Sequence, residues 1–212
     1  MKNGNLQVAV VSVMQTNCYL LTHTRTKETL IVDPGDQGER IVSFCLREEL
    51  RPTGILLTHG HFDHIGGVQK IVEAFRIPVY ASAEEETLLA EPGMNLSAKF
   101  QGYSLALVPD VLLLDQETFT LAGFEIKAIH TPGHTGGGMC YYLPEEGLVF
   151  SGDTLFRHTY GRTDLPTSSF KALKDSLINK VFMLPDETEV FAGHGNSSTI
   201  AEEKKKNPIW GD

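Results

Sequence analysis

The ten residues Thr58–Gly67 constrain this chain more than any other part of its sequence. They follow a short apolar run and precede an amphipathic segment, which predicts a loop between a buried strand and a helix. The loop carries four side chains that bind metals readily: His59, His61, Asp63 and His64. In an extended loop, side chains two residues apart point the same way, so the two leading histidines can share one ion. A helix that begins after them turns the other two ligands towards a neighbouring point, so one loop can serve two ions.

Three later loops each add one ligand-type residue directly after a predicted strand. They contain His134, Asp153 and His194, each beside glycines that let backbones approach closely. Each loop alone is a weak signal, because a lone aspartate in a turn usually caps a helix or binds backbone groups. Solvated histidines would explain the first loop, but three of the chain's eight histidines fall in it. Together, four strand-end loops predict one metal site on a rigid scaffold.

Apolar periodicity and turn residues predict a mixture of strands and helices. The predicted strands are Val8–Val13, Cys18–Leu21, Thr29–Asp33, Gly54–Leu57, Val79–Ala81, Val111–Leu114, two strands within Phe119–Ile129, Met139–Leu143, Leu148–Ser151 and Val190–Ala192. The predicted helices are Ile41–Leu50, Ile65–Phe75, Glu84–Glu91, Phe170–Ile178 and a last helix capped by Thr199. Two face-to-face sheets with helices outside satisfy this order, whereas a doubly wound parallel sheet needs stricter alternation. With 212 residues, 41% of them hydrophobic, we predict a single domain over residues 1–212.

Charge and cysteine content limit the class of partner. A net charge of −9 disfavours a general nucleic-acid binder. The early apolar run Val8–Val13 is too short to span a membrane. Three cysteines far apart give no disulfide framework, which indicates a reducing compartment and a cytoplasmic protein. We therefore expect a small-molecule substrate and neither nucleic acid nor membrane as partner, and the sequence leaves the oligomeric state open.

The motifs, taken in chain order, resemble those of a known family. They are His59-x-His61-x-Asp63-His64, Thr131-Pro132-Gly133-His134-Thr135, Gly152-Asp153-Thr154-Leu155-Phe156 and Gly193-His194-Gly195. This set resembles the metallo-β-lactamase-fold hydrolases, and most of all their glyoxalase II branch. Further matches are Asn17–Leu20, Asp33–Gly35 and Gly161–Asp164. The resemblance implies an α+β fold, the four-layer αββα sandwich of the metallo-β-lactamase type, with metals at one edge of the two sheets.

The same resemblance implies the role of each ligand. It assigns His59, His61 and His134 to a first ion, Asp63, His64 and His194 to a second, and Asp153 to a bridge between them. We expect two divalent ions, with zinc the default for a histidine-rich site with carboxylates, and iron or manganese nearly as suitable. A hydroxide between the ions would attack the substrate, and Asp63 would act as a catalytic residue that orients it or shuttles its proton.

The remaining basic residues have weaker signals. Arg162 stands where glyoxalase II carries a basic residue, so we expect it to bind a substrate carboxylate, and an ion pair with Asp164 explains it equally well. His130, four residues before His134, is expected to have a structural or supporting role. His23 and His158 match no motif and are expected at the surface.

Resemblance to the glyoxalase II branch implies that the protein is a thioester hydrolase, which acts on hydroxyacylglutathione or a related thioester. The chain ends eighteen residues after His194, whereas full glyoxalase II enzymes continue into a helical region that helps hold glutathione, so another thiol or ester is a second option. The alternatives are a persulfide dioxygenase, which uses one iron held by two histidines and an aspartate, and a lactonase. A β-lactamase is disfavoured, because the best-known zinc β-lactamases carry a cysteine where Asp153 stands. Residues 92–110 and 156–166 are expected to face the substrate.

Overall fold

The computed structural model describes residues 6–13, 15–99 and 104–211, and their strands form two six-stranded sheets and a two-stranded hairpin. In spatial order, the first sheet contains β1 (Leu6–Val13), β2 (Thr16–His23), β3 (Glu28–Val32), β4 (Arg51–Leu56), β5 (Val79–Ser82) and β6 (Val111–Leu113). The pairs β1–β2 and β2–β3 are antiparallel, and the pairs from β3 to β6 are parallel. Parallel neighbours need crossover connections, and here helices supply them.

Four helices connect the strands of the first sheet. They are α1 (Gly38–Arg47), α2 (Phe62–Ile65), α3 (Val68–Phe75) and α4 (Glu86–Ala90). A 3₁₀ turn over Ala83–Glu85 precedes α4, and another, Ser97–Lys99, follows it. Within the described part of the chain, no helix combines the length and the apolar character needed to cross a membrane.

The second sheet is mostly antiparallel. In spatial order it contains β14 (Ser198–Thr199), β13 (Glu189–Ala192), β10 (Leu148–Gly152), β9 (Met139–Leu143), β8 (Phe124–His130) and β7 (Thr118–Leu121). Along the chain, β10 is followed by the hairpin β11 (Leu155–Phe156) and β12 (Thr159–Tyr160) and then by the helix α5 (Phe170–Asn179), before β13. The helix α6 (Ile200–Lys206) begins at Thr199, whose side chain accepts the N–H of Glu202 as its predicted cap. The short strands β11, β12 and β14 were not predicted, because two residues are too few to show a periodic pattern.

The alternation of side chains along the strands builds four layers. On β2, Tyr19 and Leu21 belong to the cluster between the sheets, whereas Cys18 and Leu20 pack with residues of α1 and α3 on the outer face. On the second sheet, Phe150 points inward, while Val149 packs outward with residues of α5 and α6. Each fully buried side chain of this size contributes about 1.5–3 kcal/mol, so both faces of both sheets hold the fold together. The predicted αββα sandwich is confirmed.

The predicted helix over Ile65–Phe75 is wrong in its extent. The chain forms α2 and α3 instead, with a break at Gly66 and Gly67. Gly67 donates its N–H to Pro34 O (2.8 Å), and a Cβ on Gly66 would lie 2.3 Å from Gly35 O. The break exists because the chain here packs against the turn after β3, a contact that periodicity alone does not reveal.

The cysteines agree with the absence of a disulfide framework. Cys18, Cys45 and Cys140 are free and buried. Burial raises the pKa of each thiol, so these side chains behave as core residues and not as nucleophiles.

Candidate metal centre

Four loops that follow strand ends meet at one edge of the sandwich. One follows β4 of the first sheet, and the others follow β8, β10 and β13 of the second. Two backbone hydrogen bonds link the sheets here, from Met139 N to Thr58 O (2.8 Å) and from Asn17 N to Gly193 O (2.7 Å). The loops bring together all seven residues predicted as ligands: His59, His61, Asp63, His64, His134, Asp153 and His194.

Three histidines form the first cluster. His59, His61 and His134 are buried, and one ring nitrogen of each lies within 4.8 Å of the others. His61 Nδ1 and His134 Nε2 are 2.9 Å apart. Two imidazole nitrogens this close, in a cluster without a carboxylate of its own, suit a shared cation.

The second cluster contains Asp63, His64 and His194, whose ligand atoms also lie within 4.8 Å of one another. Asp63 Oδ2 is 3.4 Å from His194 Nε2 and 3.9 Å from His64 Nε2. Thr16 Oγ1 donates a hydrogen bond of 3.3 Å to the same carboxylate oxygen. His64 is fully buried, while the other two side chains border the solvent.

Asp153 lies between the two clusters. Its Oδ2 is 3.5 Å from His134 Nε2 in the first cluster and 3.5 Å from His194 Nε2 in the second. Its Oδ1 is 3.4 Å from His64 Nε2. One carboxylate therefore contacts members of both clusters, which is the placement that a bridging ligand requires.

Several buried polar atoms of these residues have no hydrogen-bond partner. They are Nε2 of His59, His61 and His64 and Oδ1 of Asp153. Burying such atoms without partners is costly, and divalent cations would satisfy those that face the cluster interior. Imidazole with carboxylate is a donor set for zinc, iron or manganese, so the residues present fit the predicted ions.

Hydrogen bonds fix which nitrogen of His64 and His59 faces inward. His64 Nδ1 donates to Asp33 Oδ2 (2.9 Å), which leaves its Nε2 towards Asp153. Thr58 Oγ1 donates to the same Asp33 oxygen (2.6 Å) and lies 3.1 Å from His59 Nδ1. Since the hydroxyl proton goes to Asp33, the histidine must donate there, and its Nε2 keeps a free lone pair. Such support orients metal-binding histidines and raises their basicity.

Backbone carbonyls orient two further histidines. His134 Nδ1 donates to Arg162 O (2.9 Å), and His194 Nδ1 donates to Gln15 O (2.9 Å). Both rings therefore present Nε2 to the carboxylate of Asp153. This arrangement fixes the tautomer that can bind a cation.

The two clusters differ in charge. Burial lowers the pKa of His59 and of His134, and lowers that of His61 to about 3, so these rings are neutral at pH 7. For His64, burial lowers the pKa, but the carboxylates of Asp153 and Asp33 outweigh it and hold the value well above the usual range. For His194, hydrogen bonds to Asp153 and Asp63 outweigh burial and raise the pKa to about 10.

The aspartates carry the matching negative charge. Burial raises the pKa of Asp63, but its hydrogen bond with His194 prevails and the value is about 2. Burial likewise acts on Asp153, and His64 and His194 outweigh it, so its pKa lies well below the usual range. Without ions, the second cluster is thus a network of imidazolium and carboxylate groups.

Asp33 supports the site although its sequence motif predicted no role for it. It is buried, its backbone lies in the left-handed region (φ 49°), and its carboxylate also accepts the N–H of Thr58 (2.8 Å). It thereby joins the end of β3 to the loop after β4 that carries His59–His64. The available signal was an aspartate at a strand end followed by Pro-Gly, but nothing local showed which loop it would reach.

The motif Asn17–Leu20 at the start of β2 also had no predicted role, and the structure shows what two of its side chains bind. Asn17 Nδ2 donates to Ala192 O (3.1 Å) and Gly195 O (2.8 Å), and Tyr19 OH donates to Ala192 O (2.6 Å). These bonds hold the loop that carries His194 against the first sheet. The partners are far apart in sequence, so the pattern of residues gives no sign of this contact.

The predicted residue Arg162 forms an ion pair. Its Nε and Nη2 donate to Asp164 at 2.7 and 2.8 Å, and both side chains are exposed. Arg162 also lines the cavity in front of the clusters, so a substrate in this cavity would lie beside it. His130 lies outside both clusters, with its Nε2 bonded to Gly136 O (2.9 Å), and His158 Nε2 contacts Glu202 (2.7 Å).

A cavity of about 1090 Å³ opens in front of the clusters. Among its lining residues are the apolar or aromatic Phe62, Leu96, Phe156, Tyr160 and Leu165 and the cationic Lys99 and Arg162. Both segments expected to face a substrate, residues 92–110 and 156–166, contribute to this wall.

The sequence matches the family model for the metallo-beta-lactamase superfamily over residues 11–194. The chain belongs to the metallo-β-lactamase superfamily. One relative, the probable metallo-hydrolase YqgX of Bacillus subtilis, is 36% identical over 94% of this chain and 94% of its own. Another, hydroxyacylglutathione hydrolase GloC of Haemophilus influenzae, is 34% identical over 97% of each chain.

Solved structures of metallo-β-lactamase-fold proteins superimpose over nearly the whole chain. BLEG-1, a B3 metallo-beta-lactamase, has a TM-score of 0.90 and 39% identity, covering 96% of this chain and 99% of its own. TTHA1623 in a di-iron-bound form has a TM-score of 0.82 and 37% identity, covering 96% and 99%. ETHE1 from Myxococcus xanthus has a TM-score of 0.77 and 29% identity, covering 96% and 83%. The GloC relative and the ETHE1 neighbour fit the glyoxalase II-like branch, which confirms the predicted resemblance.

Membership in this superfamily supports the prediction that the protein is a metal-dependent hydrolase. The protein is a metallo-hydrolase of this superfamily, and its histidine and aspartate clusters imply divalent metal ions. TTHA1623, which is 37% identical to this chain, was solved with two irons bound.

Proposed function

We propose that the protein hydrolyses thioesters, with an acyl-glutathione or a related acyl thiol as the substrate class. The observation that carries the proposal is the position of Asp153, within 3.5 Å of nitrogens in both clusters. It supports a two-ion centre, and the GloC relative supports this substrate class.

In the proposed centre, one divalent ion would be held by His59, His61 and His134. The other would be held by Asp63, His64 and His194. Asp153 would be a ligand of both. Ions bound in this way lower the pKa of a coordinated water and polarise a substrate carbonyl. Two aspartates neutralise only half the charge of two divalent ions, so the centre attracts anionic substrates. Zinc is our first choice, with iron and manganese as the alternatives.

Asp63 would be a ligand of the second ion and a hydrogen-bond acceptor for the attacking water. In the metal-free protein its hydrogen bond with His194 outweighs burial and holds its pKa at about 2, so its side chain is a carboxylate at neutral pH. Thr16 donates to one of its oxygens, which restrains the carboxylate. We infer that Asp63 orients the attacking water or shuttles its proton.

The cavity wall supports a substrate with an apolar part and an anionic end. Phe156 and Tyr160, from the hairpin β11–β12, line the cavity, and the Phe156 ring centroid lies 6.0 Å from that of His194. Lys99 and Arg162 add two cationic side chains to the wall. We propose that Arg162 exchanges its contact with Asp164 for a substrate carboxylate.

A second candidate is the opening of a β-lactam ring. The supporting observation is that BLEG-1, a B3 metallo-beta-lactamase, is 39% identical over 96% of this chain. A lactonase activity would use the same centre. A persulfide dioxygenase needs only one iron with two histidines and an aspartate, and the convergence of seven ligand-type residues favours a two-ion hydrolase over it.

The deciding experiment combines metal analysis with a substrate panel on the purified protein. The panel contains S-lactoylglutathione, other acyl thioesters, lactones, a β-lactam, and glutathione persulfide with oxygen uptake recorded. We expect about two ions per chain and the highest kcat/KM on a thioester, with activity lost on chelation and restored by zinc. One iron per chain with rapid oxygen uptake, or a clear preference for β-lactams, would overturn the thioesterase proposal.

A further inference from the structure

A buried glutamate connects the two loops that carry the first histidine cluster. Glu85 ends the 3₁₀ turn before α4, and only 1% of it is exposed. Its Oε1 accepts the N–H of Gly60 at 2.9 Å, and its Oε2 accepts the N–H of Gly137 at 2.8 Å. Gly60 lies between His59 and His61, and Gly137 lies three residues after His134. One carboxylate therefore reaches both loops, one from each half of the sandwich.

The glycines at both contacts leave room for this approach. A Cβ on Gly137 would lie 2.5 Å from Glu85 Oε2 and 2.4 Å from Glu85 N. A Cβ on Gly60 would lie 2.8 Å from the Cδ2 atoms of Leu88 and Leu89 in α4. Distances below 3.0 Å to backbone atoms require a shift of the chain, so any larger residue at Gly137 pushes this loop away from the carboxylate.

A buried carboxylate is expensive unless its oxygens are satisfied. Burial raises the pKa of Glu85, and the N–H groups of Gly60 and Gly137 partly offset that rise. A hydrophobic residue would fill the same space without this cost but would leave two buried N–H groups unpaired. Because one of these N–H groups lies in each histidine loop, the Glu85 carboxylate links the two loops as well as filling space in the core.

We propose that Glu85 is a positioning residue that sets the distance between the loop of His59 and His61 and the loop of His134. The backbone bond from Met139 to Thr58 joins these loops on their strand side, and Glu85 joins them beyond the ligands. Between these two connections lies the 2.9 Å approach of His61 Nδ1 to His134 Nε2. The inference rests on the proposed two-ion centre, and it adds a residue that controls only one of its halves.

The test isolates each half of the centre with Zn²⁺ as the probe. In a His194→Ala background, only the first cluster is complete, and in a His134→Ala background, only the second is. Glu85→Gln keeps the side-chain shape but turns one acceptor into an NH₂ donor that faces a backbone N–H. Glu84→Gln is the matched control, because Glu84 is adjacent and exposed.

Zinc affinity is measured by competition with a chromophoric chelator, and apoprotein melting is recorded for each variant. We expect Glu85→Gln to weaken binding about tenfold or more in the His194→Ala background and less than about threefold in the His134→Ala background. Glu84→Gln should leave both affinities unchanged. Equal losses in both backgrounds would mean that Glu85 only stabilises the fold, and no loss in either would also overturn the inference.

A second pair of variants covers the case in which Glu85→Gln folds poorly. Gly137→Ala should displace the Gly137 N–H from the Glu85 carboxylate. It should therefore weaken zinc binding in the His194→Ala background more than in the His134→Ala background. Gly136→Ala is its control, since a Cβ there makes only ordinary contacts, the shortest being 3.4 Å to Thr167. If the His194→Ala protein with Glu85 intact binds no zinc, the proposed centre itself fails, a result distinct from failure of the Glu85 inference.

Discussion

At the scale of single residues, Asp153 decides whether the site is one centre or two. Without its carboxylate, three histidines and a separate group of one aspartate and two histidines would share no atom. With it, each cluster has a nitrogen within 3.5 Å of the same side chain. Its own pKa lies well below the usual range, so it is available as a carboxylate over the whole physiological range.

Replacing this bridge should separate the two clusters functionally. We expect Asp153→Ala to lower bound metal from about two ions to one or fewer, and to lower kcat/KM by at least about a hundredfold. The measurement is metal content by plasma emission together with thioester turnover. Asp175→Ala, an exposed aspartate on α5, is the control. A variant that kept two ions and the full rate would remove Asp153 from the centre.

Arg162 has two competing interpretations that kinetics can separate. If it binds the anionic end of the substrate, Arg162→Ala should raise KM about tenfold with little change in kcat, because a charge-assisted hydrogen bond is lost. Its backbone carbonyl, which holds His134, is unaffected by the change. Arg157→Ala, in the same hairpin region, should leave KM as it is. An unchanged KM for Arg162→Ala would leave only the ion pair with Asp164.

The charge difference between the clusters makes metal uptake depend on pH. The metal-free protein holds His194 protonated up to about pH 10, and a cation can bind only the deprotonated ring. His61, with a pKa of about 3, is already neutral at pH 7. We therefore expect one ion to bind without proton release and the other to release at least about one proton, with affinity falling as pH falls.

Calorimetry of zinc binding in two buffers of different ionisation enthalpy measures this release directly. The His194→Ala variant, which keeps the first cluster, should show a single binding event whose heat is nearly independent of the buffer. Equal proton release for both ions in the unmodified protein would contradict the assigned charges.

At the scale of elements, close backbone contacts shape the metal-binding loop. The break between α2 and α3 lets the chain lie against the turn after β3, with Gly67 N bonded to Pro34 O. Asp33, one residue earlier, holds His64 through its carboxylate. The glycines of the break therefore matter for the position of the second cluster as well as for the helix ends.

Because of this close contact, we expect replacement of Gly66 by alanine to destabilise the protein. Alanine is favoured over glycine in a helix by about 1 kcal/mol, which would stabilise the protein if Gly66 were merely helical. Its Cβ would, however, lie 2.3 Å from Gly35 O. Overpacking of this kind costs about 1–3 kcal/mol, so we expect Gly66→Ala to lower the free energy of unfolding.

Urea denaturation measures the Gly66→Ala effect, and Gly93→Ala provides the comparison. No atom lies within 4 Å of a Cβ built on Gly93, so this change should stay within about 0.5 kcal/mol of the unmodified protein. Stabilisation by Gly66→Ala would show that the contact with the turn after β3 is easily relaxed.

At the scale of the whole molecule, the centre joins the two sheets. The candidate ligands come from a loop of the first sheet and three loops of the second. Bound ions would therefore add to the apolar packing and the hydrogen bonds that already join the two sheets. Ions that bind only the folded state raise the free energy of unfolding by an amount that depends on their concentration relative to their Kd. The metal centre is thus expected to hold the sandwich together at its open edge.

Removing the metals should lower the melting temperature. An ion present at about a hundred times its Kd adds about 2.7 kcal/mol, which corresponds to about 5–10 °C for a chain of this size. Calorimetric melting before and after chelation checks this. A variant with both His134→Ala and His194→Ala should show a much smaller shift, and equal shifts in both proteins would place the stabilising ion elsewhere.

The sequence determined the layered fold and the set of candidate ligands, because both depend on local order. Short apolar runs marked strands such as β2. The dense His59–His64 run already combined ligand chemistry with the end of a strand. Motif order then indicated the family. These signals lie within a few residues of one another, so reading along the chain was sufficient.

Tertiary structure alone decided what connects the loops. The hydrogen bonds of Asp33 to His64, of Asn17 to the His194 loop and of Glu85 to both histidine loops join residues separated by 25 positions or more. The break at Gly66 likewise depends on its close contact with Gly35, which lies 31 positions earlier in the chain. Which distant groups meet depends on how two sheets pack, because local propensity carries no information about partners brought together only by the fold.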